Sequence, residues 1–497
     1  NEKVIFGVEN REVDQITQEL GFNPFSLSDL QTLGIDVNKK IGFITSNLRL
    51  GEYGSPYFST LLYIPVTGGE KLINKIKELV KKENESAQIN EAENIVSFTL
   101  DGITIYLTLR NEYLLLAFDP KEDSKSLISV TKDSSLKNNQ KFMDLLSSVN
   151  KDEKIVVYGD LTKFLEQNAE KMKQEAYGNE EKAIIDIFKD ITHFASTFDS
   201  GSKDLVIKSN FLLKNDSKYL NMFKNLKLNK KNISSISETP LFLVTTAVNV
   251  KDAFDLFLKA VSEYDAQSIN DGINMLKMMA GIDVNDFIAN LAGNINIATF
   301  NGDKINEKTF NTILTFDVVD SAKLSLFVST LTAKIPAEYL KTEKINDVNV
   351  YKLSQDGMNV YFALTGNTFI VSTEKYLFEK ALSKGSITEK ITDKDLISDL
   401  QADKHLFYVD VTQLKTVLKN INFYMSESEY KVMDLFKTLL ISSSIDGNKV
   451  SVDFSLKTTF TESFFVSLVK FFSNSVQSGY NDYDNYKAVE ESGAAQW

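Results

Sequence analysis

The chain contains no cysteine and only two histidines, His193 and His405, among 497 residues. The lack of cysteine excludes a disulfide framework and any thiolate site for catalysis or metal binding. The two histidines also do not occupy equivalent positions in the two copies of the internal repeat described below. Zinc-finger, haem and Ser-His-Asp hydrolase interpretations are therefore disfavoured as well. Lone histidines near a predicted helix end (His193) or at the start of a predicted strand (His405) are usually structural. We therefore predict no metal site and no cofactor.

Proline and glycine are also scarce, with 6 and 22 residues respectively, which is typical of long regular elements joined by few irregular loops. The sequence contains neither the P-loop motif G-x-x-x-x-G-K-[ST] nor the dinucleotide-binding motif G-x-G-x-x-G after a predicted strand, so a nucleotide site is not indicated. No apolar run is long enough to span a bilayer. The formal net charge of −13 disfavours a nucleic-acid partner, because nucleic acids select basic surfaces. We expect no transmembrane span and no nucleic acid.

The most informative feature that is present is an internal repeat. The pentapeptide Gly-Ile-Asp-Val-Asn at residues 34–38 recurs at residues 281–285. Further matches follow in the same order: Thr60–Ile64 with Thr312–Phe316, Lys71-Leu72 with Lys323-Leu324, Asp101-Gly102 with Asp356-Gly357, Tyr158–Thr162 with Tyr408–Thr412, Asp186–Lys189 with Asp434–Lys437, and Phe211–Lys214 with Phe454–Lys457. A repeat of roughly 240 residues is far longer than a solenoid unit. The pattern predicts a domain duplicated in tandem.

The length of the chain also favours two domains, because single hydrophobic cores stop growing at about 250–300 residues. We place the first repeat at residues 1–236 and the second at residues 237–476. The polar segment Lys230–Glu238 marks the junction between them. Residues 477–497 form an acidic, tyrosine-rich C-terminal tail outside both repeats.

Each repeat contains a predicted three-stranded meander. In the first, Ile95–Leu100 and Ile103–Leu109 alternate in polarity around Asp101-Gly102, a pair that favours a type I′ hairpin turn. A second turn at Asn111-Glu112 leads into Tyr113–Phe118. The corresponding strands of the second repeat are predicted at Val348–Leu353, Met358–Leu364 and Thr368–Ser372.

Amphipathic helices are predicted beside these strands. Lys71–Lys82 has apolar residues at the three-and-four spacing of one helical face, and Leu161–Ala176 and Glu180–Ala195 are long and amphipathic. The sequence thus predicts an α+β fold. It consists of two tandem, structurally similar domains, each a mainly antiparallel sheet of about six to eight strands with amphipathic helices packed on it.

Carboxylates are numerous, with 68 Asp and Glu residues, so a pair acting as acid and base has to be considered. The recurrent candidates are Asp36 with Asp283 and Asp160 with Asp410. All four precede predicted helix-like segments, where an aspartate accepts hydrogen bonds from free backbone N–H groups. We favour helix capping over catalysis, and we predict no catalytic residue and no enzymatic activity.

The C-terminal tail carries the predicted partner-binding residues Tyr480, Tyr483, Tyr486 and Trp497, the last being the only tryptophan of the chain. Tyrosine and tryptophan anchor interfaces because they bury large areas at a low entropy cost. One hypothesis is that the tail docks on a neighbouring subunit or partner protein. The alternative is that it packs against its own domain.

A resemblance to known proteins is carried by several scaffold motifs. The elements Gly34-Ile35-Asp36 and Gly281-Ile282-Asp283 lead into strands that begin Ile-Gly-Phe and Ile-Asn-Ile. A helix start follows at Asp320–Lys323, and an apolar strand precedes Thr373-Glu374-Lys375. The pattern resembles exported bacterial proteins, often lipoproteins, that are catalogued only as domains of unknown function. The resemblance implies an envelope location and no assigned activity.

Three functional hypotheses follow. The leading one is a non-enzymatic exported protein of the periplasm or cell surface, acting as a binding or structural component through protein–protein contacts or self-association. A first residue other than methionine agrees with processing and export, although a truncated start would look the same. The second is a carrier of lipid or another hydrophobic or cell-surface ligand, since 34 phenylalanines are present. The third is a carboxylate-based hydrolase.

Overall fold

The structure is a computed structural model with an α+β fold built on two antiparallel sheets. It describes residues 10–24, 26–50, 56–129, 138–147, 155–175, 188–199, 201–223, 239–255, 283–300, 311–355, 357–382, 391–402 and 404–464, with single positions at 182, 185, 226, 228, 271, 274, 277, 278, 305 and 467. The chain divides into two compact units. The first comprises residues 1–144, 163–171 and 461–497, and the second comprises residues 145–162 and 172–460.

The first unit contains a six-stranded sheet with the order β1-β2-β6-β5-β4-β3. Every neighbouring pair is antiparallel. The strands are β1 Gly42–Leu50, β2 Pro56–Pro65, β3 Asn90–Ala92, β4 Ile95–Leu100, β5 Ile103–Arg110 and β6 Tyr113–Phe118. The described helices in residues 10–147 are α1 Asn10–Leu20, α2 Leu27–Thr32, α3 Gly69–Glu83 and α4 Gln140–Ser147, with a 3-10 turn at Lys125–Ser129.

The predicted meander of the first repeat is present, and its turns explain why. Asp101 and Gly102 both have positive φ, at 50° and 79°, as a type I′ turn requires. The return turn begins at Asn111, whose φ is 54°. Helix α3 then covers one face of the sheet, with Leu72 and Val80 packed in the same buried cluster as strand residues. This helix confirms the one predicted at Lys71–Lys82.

The second unit contains a sheet of thirteen strands with the order β13-β14-β15-β16-β12-β11-β10-β17-β18-β19-β9-β8-β7. The strands are β7 Ile155–Asp160, β8 Ile191–Phe198, β9 Leu205–Leu213, β10 Phe242–Ala247, β11 Leu291–Thr299, β12 Thr312–Val318, β13 Leu340–Ile345, β14 Val348–Gln355, β15 Met358–Thr365, β16 Thr368–Ser372, β17 His405–Asp410, β18 Phe436–Asp446 and β19 Lys449–Thr458. Thirteen strands exceed the predicted six to eight per sheet.

Helices cover parts of both faces of this sheet. The helices after residue 160 are α5 Thr162–Glu175, α6 Lys218–Phe223, α7 Val284–Ala289, α8 Ser321–Thr332, α9 Lys375–Leu382, α10 Lys394–Gln401, α11 Val411–Asn420 and α12 Glu427–Met433. On one face, α9 and α10 bury Phe378 and Leu396 against Leu243 and Tyr408, and all four are fully buried. On the other face, Leu324 of α8 packs among aromatic side chains of β12, β15 and β16.

Part of the large sheet repeats the order of the small one. The run β11-β12-β16-β15-β14-β13 has the same sequence of neighbours as β1-β2-β6-β5-β4-β3. The register agrees too, because Phe43 pairs with Leu62 and Ile297 pairs with Leu314, residues that align in the repeated sequence. The large sheet adds β10, which pairs along the outer edge of β11.

One sequence prediction, a helix over Glu180–Ala195, needs correction, and another, the boundary between the repeats, stays a prediction. Glu180–Ala195 is not one helix: Lys182, Ile185 and Phe188 are helical, but Ile191–Phe198 is strand β8. Apolar residues at helical spacing continue into this segment, where the β-branched and aromatic side chains favour a strand. The predicted boundary between residues 236 and 237 lies inside the second compact unit. As a boundary between repeats, it stays a prediction.

Candidate binding surface

The recurrent aspartates have local structural roles, and two of them cap helices as predicted. Asp283 accepts hydrogen bonds from the backbone N–H groups of Asn285 and Asp286, at 3.0 and 3.4 Å, where α7 begins. Asp410 accepts the N–H of Gln413 at 3.0 Å, where α11 begins. Such bonds satisfy donors that the first turn of a helix leaves free.

The other two aspartates depart from simple capping. Asp36 accepts the N–H of Asn38 at 3.1 Å in a turn, and no helix follows it, so the predicted N-cap is wrong at this position. Asp160 accepts the N–H of Thr162 at 3.0 Å at the start of α5. Its Oδ2 also lies 3.4 Å from Nε2 of His193. Asp160 therefore links the start of a helix to a neighbouring strand.

Both histidines lie in strands. His193 is 3% exposed and stands in β8, not near a helix end as predicted. His405 opens β17 as predicted, and its Nδ1 accepts the backbone N–H of Ala247 at 3.2 Å. Burial lowers the pKa of His405, which favours the neutral ring that this hydrogen bond needs. Within the described residues, no group of three or more potential metal ligands is found.

A cluster of ion pairs in the second unit joins both ends of α10 to the sheet. Lys404 lies 2.8 Å from Asp399 and 2.7 Å from Asp453. At the other end of the helix, Lys457 lies 2.7 Å from Asp393 and 2.8 Å from Asp395. Burial would lower the pKa of both lysines, but hydrogen bonds to their carboxylate partners outweigh it and raise the pKa values. The opposite charges compensate one another, so the cluster is suited to holding the helix in place.

The opposite face of the same strands is apolar. Cross-strand pairing places Phe407, Ile441, Phe454, Ile207 and Phe198 in one row over five neighbouring strands. At a strand spacing of about 4.8 Å, the row is about 19 Å long. None of the five side chains is buried, and Phe407 is 36% exposed.

A second row runs parallel to the first. It consists of Ile445, Val450, Phe211 and Phe194, and the last two rings stack with centroids 6.4 Å apart. All four are partly exposed. We call the part of this surface on β8, β9, β18 and β19 the central apolar face, which leaves out Phe407 of β17, and define it by eight residues: Phe194, Phe198, Ile207, Phe211, Ile441, Ile445, Val450 and Phe454. None of these eight belongs to the buried clusters formed by the described part of the chain.

The two faces of these strands differ in polarity, and between the two apolar rows lies a third row of Ser443, Val452, Ser209 and Ser196. On the face opposite the apolar rows, the same strands carry Lys208, Asn210, Ser442, Ser451 and Asp453. Alternation of this kind normally turns the apolar side toward a core. Here the apolar side is only partly covered, which is the property expected of a surface that binds something apolar.

The sequence did not indicate this surface. Its central contact is the pairing of β9, Leu205–Leu213, with β19, which joins residues far apart in the chain. Sequence pattern carries no signal for that pairing. The predicted partner-binding residues Tyr480, Tyr483, Tyr486 and Trp497 lie outside the described residues, as does the whole tail at 477–497.

No family model matches the chain, and no curated protein matches it. A solved structure, crystal form III of TP0453, matches with 7% sequence identity and a TM-score of 0.25, over 49% of this chain and 98% of that one. A likeness at that score carries no argument. Among the described residues, no helix is long and apolar enough to cross a membrane.

Proposed function

We propose that the protein is a non-enzymatic component of the bacterial envelope or cell surface that binds a partner protein through the central apolar face. The observation that carries this proposal is the partial exposure of all eight of its side chains. Exposed apolar patches rimmed by polar residues mark interaction sites more often than chance allows. The envelope location is supported by the sequence resemblance to exported bacterial proteins alone.

We also propose that the chain arose by tandem duplication. The repeated strand order supports this, and so does the pairing of β9 with β19. In this pairing, Phe211 lies opposite Val450, and Phe454 lies opposite Ile207. The two pairs lie at equal distances on either side of the pair Ser209–Val452. A two-fold rotation about that central pair therefore carries Phe211 onto Phe454, its counterpart in the repeated sequence, and Val450 onto Ile207. A duplicated chain would thus present similar apolar rows on both sides of this axis.

A carrier of lipid or another hydrophobic ligand is the second candidate. The observation that favours it is the same face, whose four phenylalanines, Phe194, Phe198, Phe211 and Phe454, could cover an acyl chain. The hydrolase hypothesis gains no support from the described aspartates, since the recurrent ones hold turns, helix starts and a strand partner.

Photo-crosslinking in the native host tests the proposal and separates the two candidates. A photoreactive phenylalanine analogue replaces Phe454 in one variant of the full chain and Phe211 in another. The matched control carries the analogue at Lys208, an exposed position on the opposite face. We expect both test positions, and not the control, to form an adduct with another protein, which mass spectrometry of the tryptic peptides identifies.

The other outcomes are equally informative. An adduct with the mass of a lipid at Phe454 and Phe211 would favour the carrier. Links only to other segments of the same chain would show that the face is covered internally, and would contradict both candidates. Equal yields at Lys208 would show that contact is not specific to the apolar side.

A further inference from the structure

The outer edge of β1 is an apolar strand edge without a partner among the described strands. β1 stands at the end of the six-stranded sheet, and its pairings involve β2 alone. Around its start, Ile41, Phe43 and Ile44 are 58%, 67% and 41% exposed. Edges of this kind offer a row of free N–H and C=O groups, and native proteins normally cover or blunt them.

The second half of the chain shows how the matching edge is covered. β11 is the counterpart of β1 in strand order, and β10 pairs along it, with Val244 opposite Ile297 and Thr246 opposite Ile295. The register of β1 on β2 and of β11 on β12 makes Phe43 the counterpart of Ile297. Ile41 is then the counterpart of Ile295.

A short segment rich in apolar residues precedes β1 at the place in the first half that β10 occupies in the second. Val4-Ile5-Phe6-Gly7-Val8 ends two residues before α1, which begins at Asn10. In the second half, Val244–Val248 ends two residues before the helical residues 250–255. Residues 1–9 lie outside the described residues. Five extended residues span about 16 Å, enough to cover the exposed part of the edge.

We propose that Val4–Val8 docks on the outer edge of β1 as the counterpart of β10. Val4 then faces Phe43, and Phe6 faces Ile41, so that the exposed apolar side chains of the edge gain apolar neighbours. The inference rests on the proposed duplication and is independent of the partner-binding role. Its consequence is that the N-terminal segment protects the sheet from edge-to-edge association with a second molecule.

Engineered disulfides test this register cleanly, because the chain has no cysteine of its own. The test variant combines Val4→Cys with Phe43→Cys. The positive control combines Val244→Cys with Ile297→Cys, which are paired in the structure. The negative control combines Ile5→Cys with Phe43→Cys, because successive side chains of a strand point to opposite faces. Each full-length variant is oxidised at low concentration, and linked tryptic peptides are identified by mass spectrometry.

We expect intramolecular links in the test variant and in the positive control, and at least tenfold less in the negative control. A linked positive control with no link between positions 4 and 43 would overturn the proposal. So would equal yields from positions 4 and 5, which would indicate proximity without register. A link formed mainly between two molecules would assign the edge to a second copy instead. None of these outcomes depends on the photo-crosslinking result.

Discussion

At the scale of single residues, Asp119 of the first unit combines burial with several hydrogen bonds to its carboxylate. It is 3% exposed, and it accepts hydrogen bonds from Arg49 Nη2 at 2.6 Å, from the Ser59 hydroxyl, and from the N–H groups of Lys121 and Glu122 at 2.7 and 2.9 Å. Burial would raise the pKa of Asp119, but these hydrogen bonds and the charge of Arg49 lower it. The carboxylate is therefore held in its charged form by groups from two strands and a loop.

We expect Asp119→Asn to lower the free energy of unfolding by about 2–3 kcal/mol, because the side chain loses its negative charge and replaces the oxygen that faces Arg49 and Ser59 with an NH2 donor. Urea denaturation of the full chain measures this loss. Asp101→Asn is the matched control, because Asp101 is exposed in a turn with positive φ that asparagine also tolerates. A loss below about 0.5 kcal/mol at Asp119, similar to the control, would show that the network contributes little.

His405 gives the molecule a pH dependence near neutrality. Burial lowers its pKa in the folded state below the ordinary value of 6.5, and Nδ1 accepts a backbone N–H. The unfolded chain therefore binds more protons than the folded one as the pH falls through 6.5 toward the lowered pKa. Stability contributed by the neutral ring is present above pH 6.5 and is lost below it.

We expect the melting temperature to fall between pH 7.5 and pH 5.5, and His405→Gln to weaken that dependence, because glutamine does not titrate and its side-chain oxygen can accept the same N–H. Calorimetry over this range compares the two slopes. An unchanged slope in the variant would assign the pH dependence to other groups. Asp119 does not contribute to this pH dependence, because its stabilising effect is lost only as the pH falls below the ordinary carboxyl pKa of 3.8.

At the scale of helices and strands, local chemistry was predictable where a turn or cap dictates the backbone. Asp101 and Gly102 identified the hairpin because few other pairs accept positive φ at both positions. Asp283 and Asp410 identified helix starts. Strand β8 was missed because the apolar spacing before Ile191 is helical, and nothing local shows that β7 and β9 lie on both sides of Ile191–Phe198. Pairing with β7 and β9, and not the local sequence pattern, makes this segment a strand.

The cap at Asp410 provides a test at this scale. We expect Asp410→Ala to cost about 1 kcal/mol of stability, because the N–H of Gln413 loses its acceptor at the start of α11. Asp410→Ser should retain most of it, since a serine hydroxyl also caps helices. Urea denaturation compares the three proteins. Equal losses for alanine and serine would show that the carboxylate charge matters more than the cap.

At the scale of the whole chain, the size of the larger sheet could not be predicted from sequence. Periodicity and turns predict strands and meanders, and the expected number was six to eight per sheet. The thirteen strands become one sheet because β19 pairs with β9 and β10 pairs with β17. Both contacts join strands that are distant in sequence. For the same reason the central apolar face, which spans the β9–β19 junction, was not foreseeable as a surface.

The proposed binding role requires that this face contribute little to the stability of the fold. Leu243 is fully buried in the cluster under α9 and α10, so Leu243→Ala should cost about 3 kcal/mol through the cavity it leaves. Phe211 and Phe454 are both partly exposed. We expect Phe211→Ser and Phe454→Ser to cost about 1 kcal/mol each, because little apolar area returns to water. Urea denaturation compares the three variants, and mass measurement of the natively purified complexes reports partner loss.

The two phenylalanine variants should also behave alike, because the proposed duplication makes Phe211 and Phe454 counterparts around the Ser209–Val452 pair. Similar loss of partner binding, with nearly native stability, is the combined outcome that a shared binding face requires. If Phe454→Ser instead destabilised the protein as strongly as Leu243→Ala, the side chain would be acting as core. A covered core has no apolar area left to offer a partner, and the binding proposal would lose the observation on which it depends.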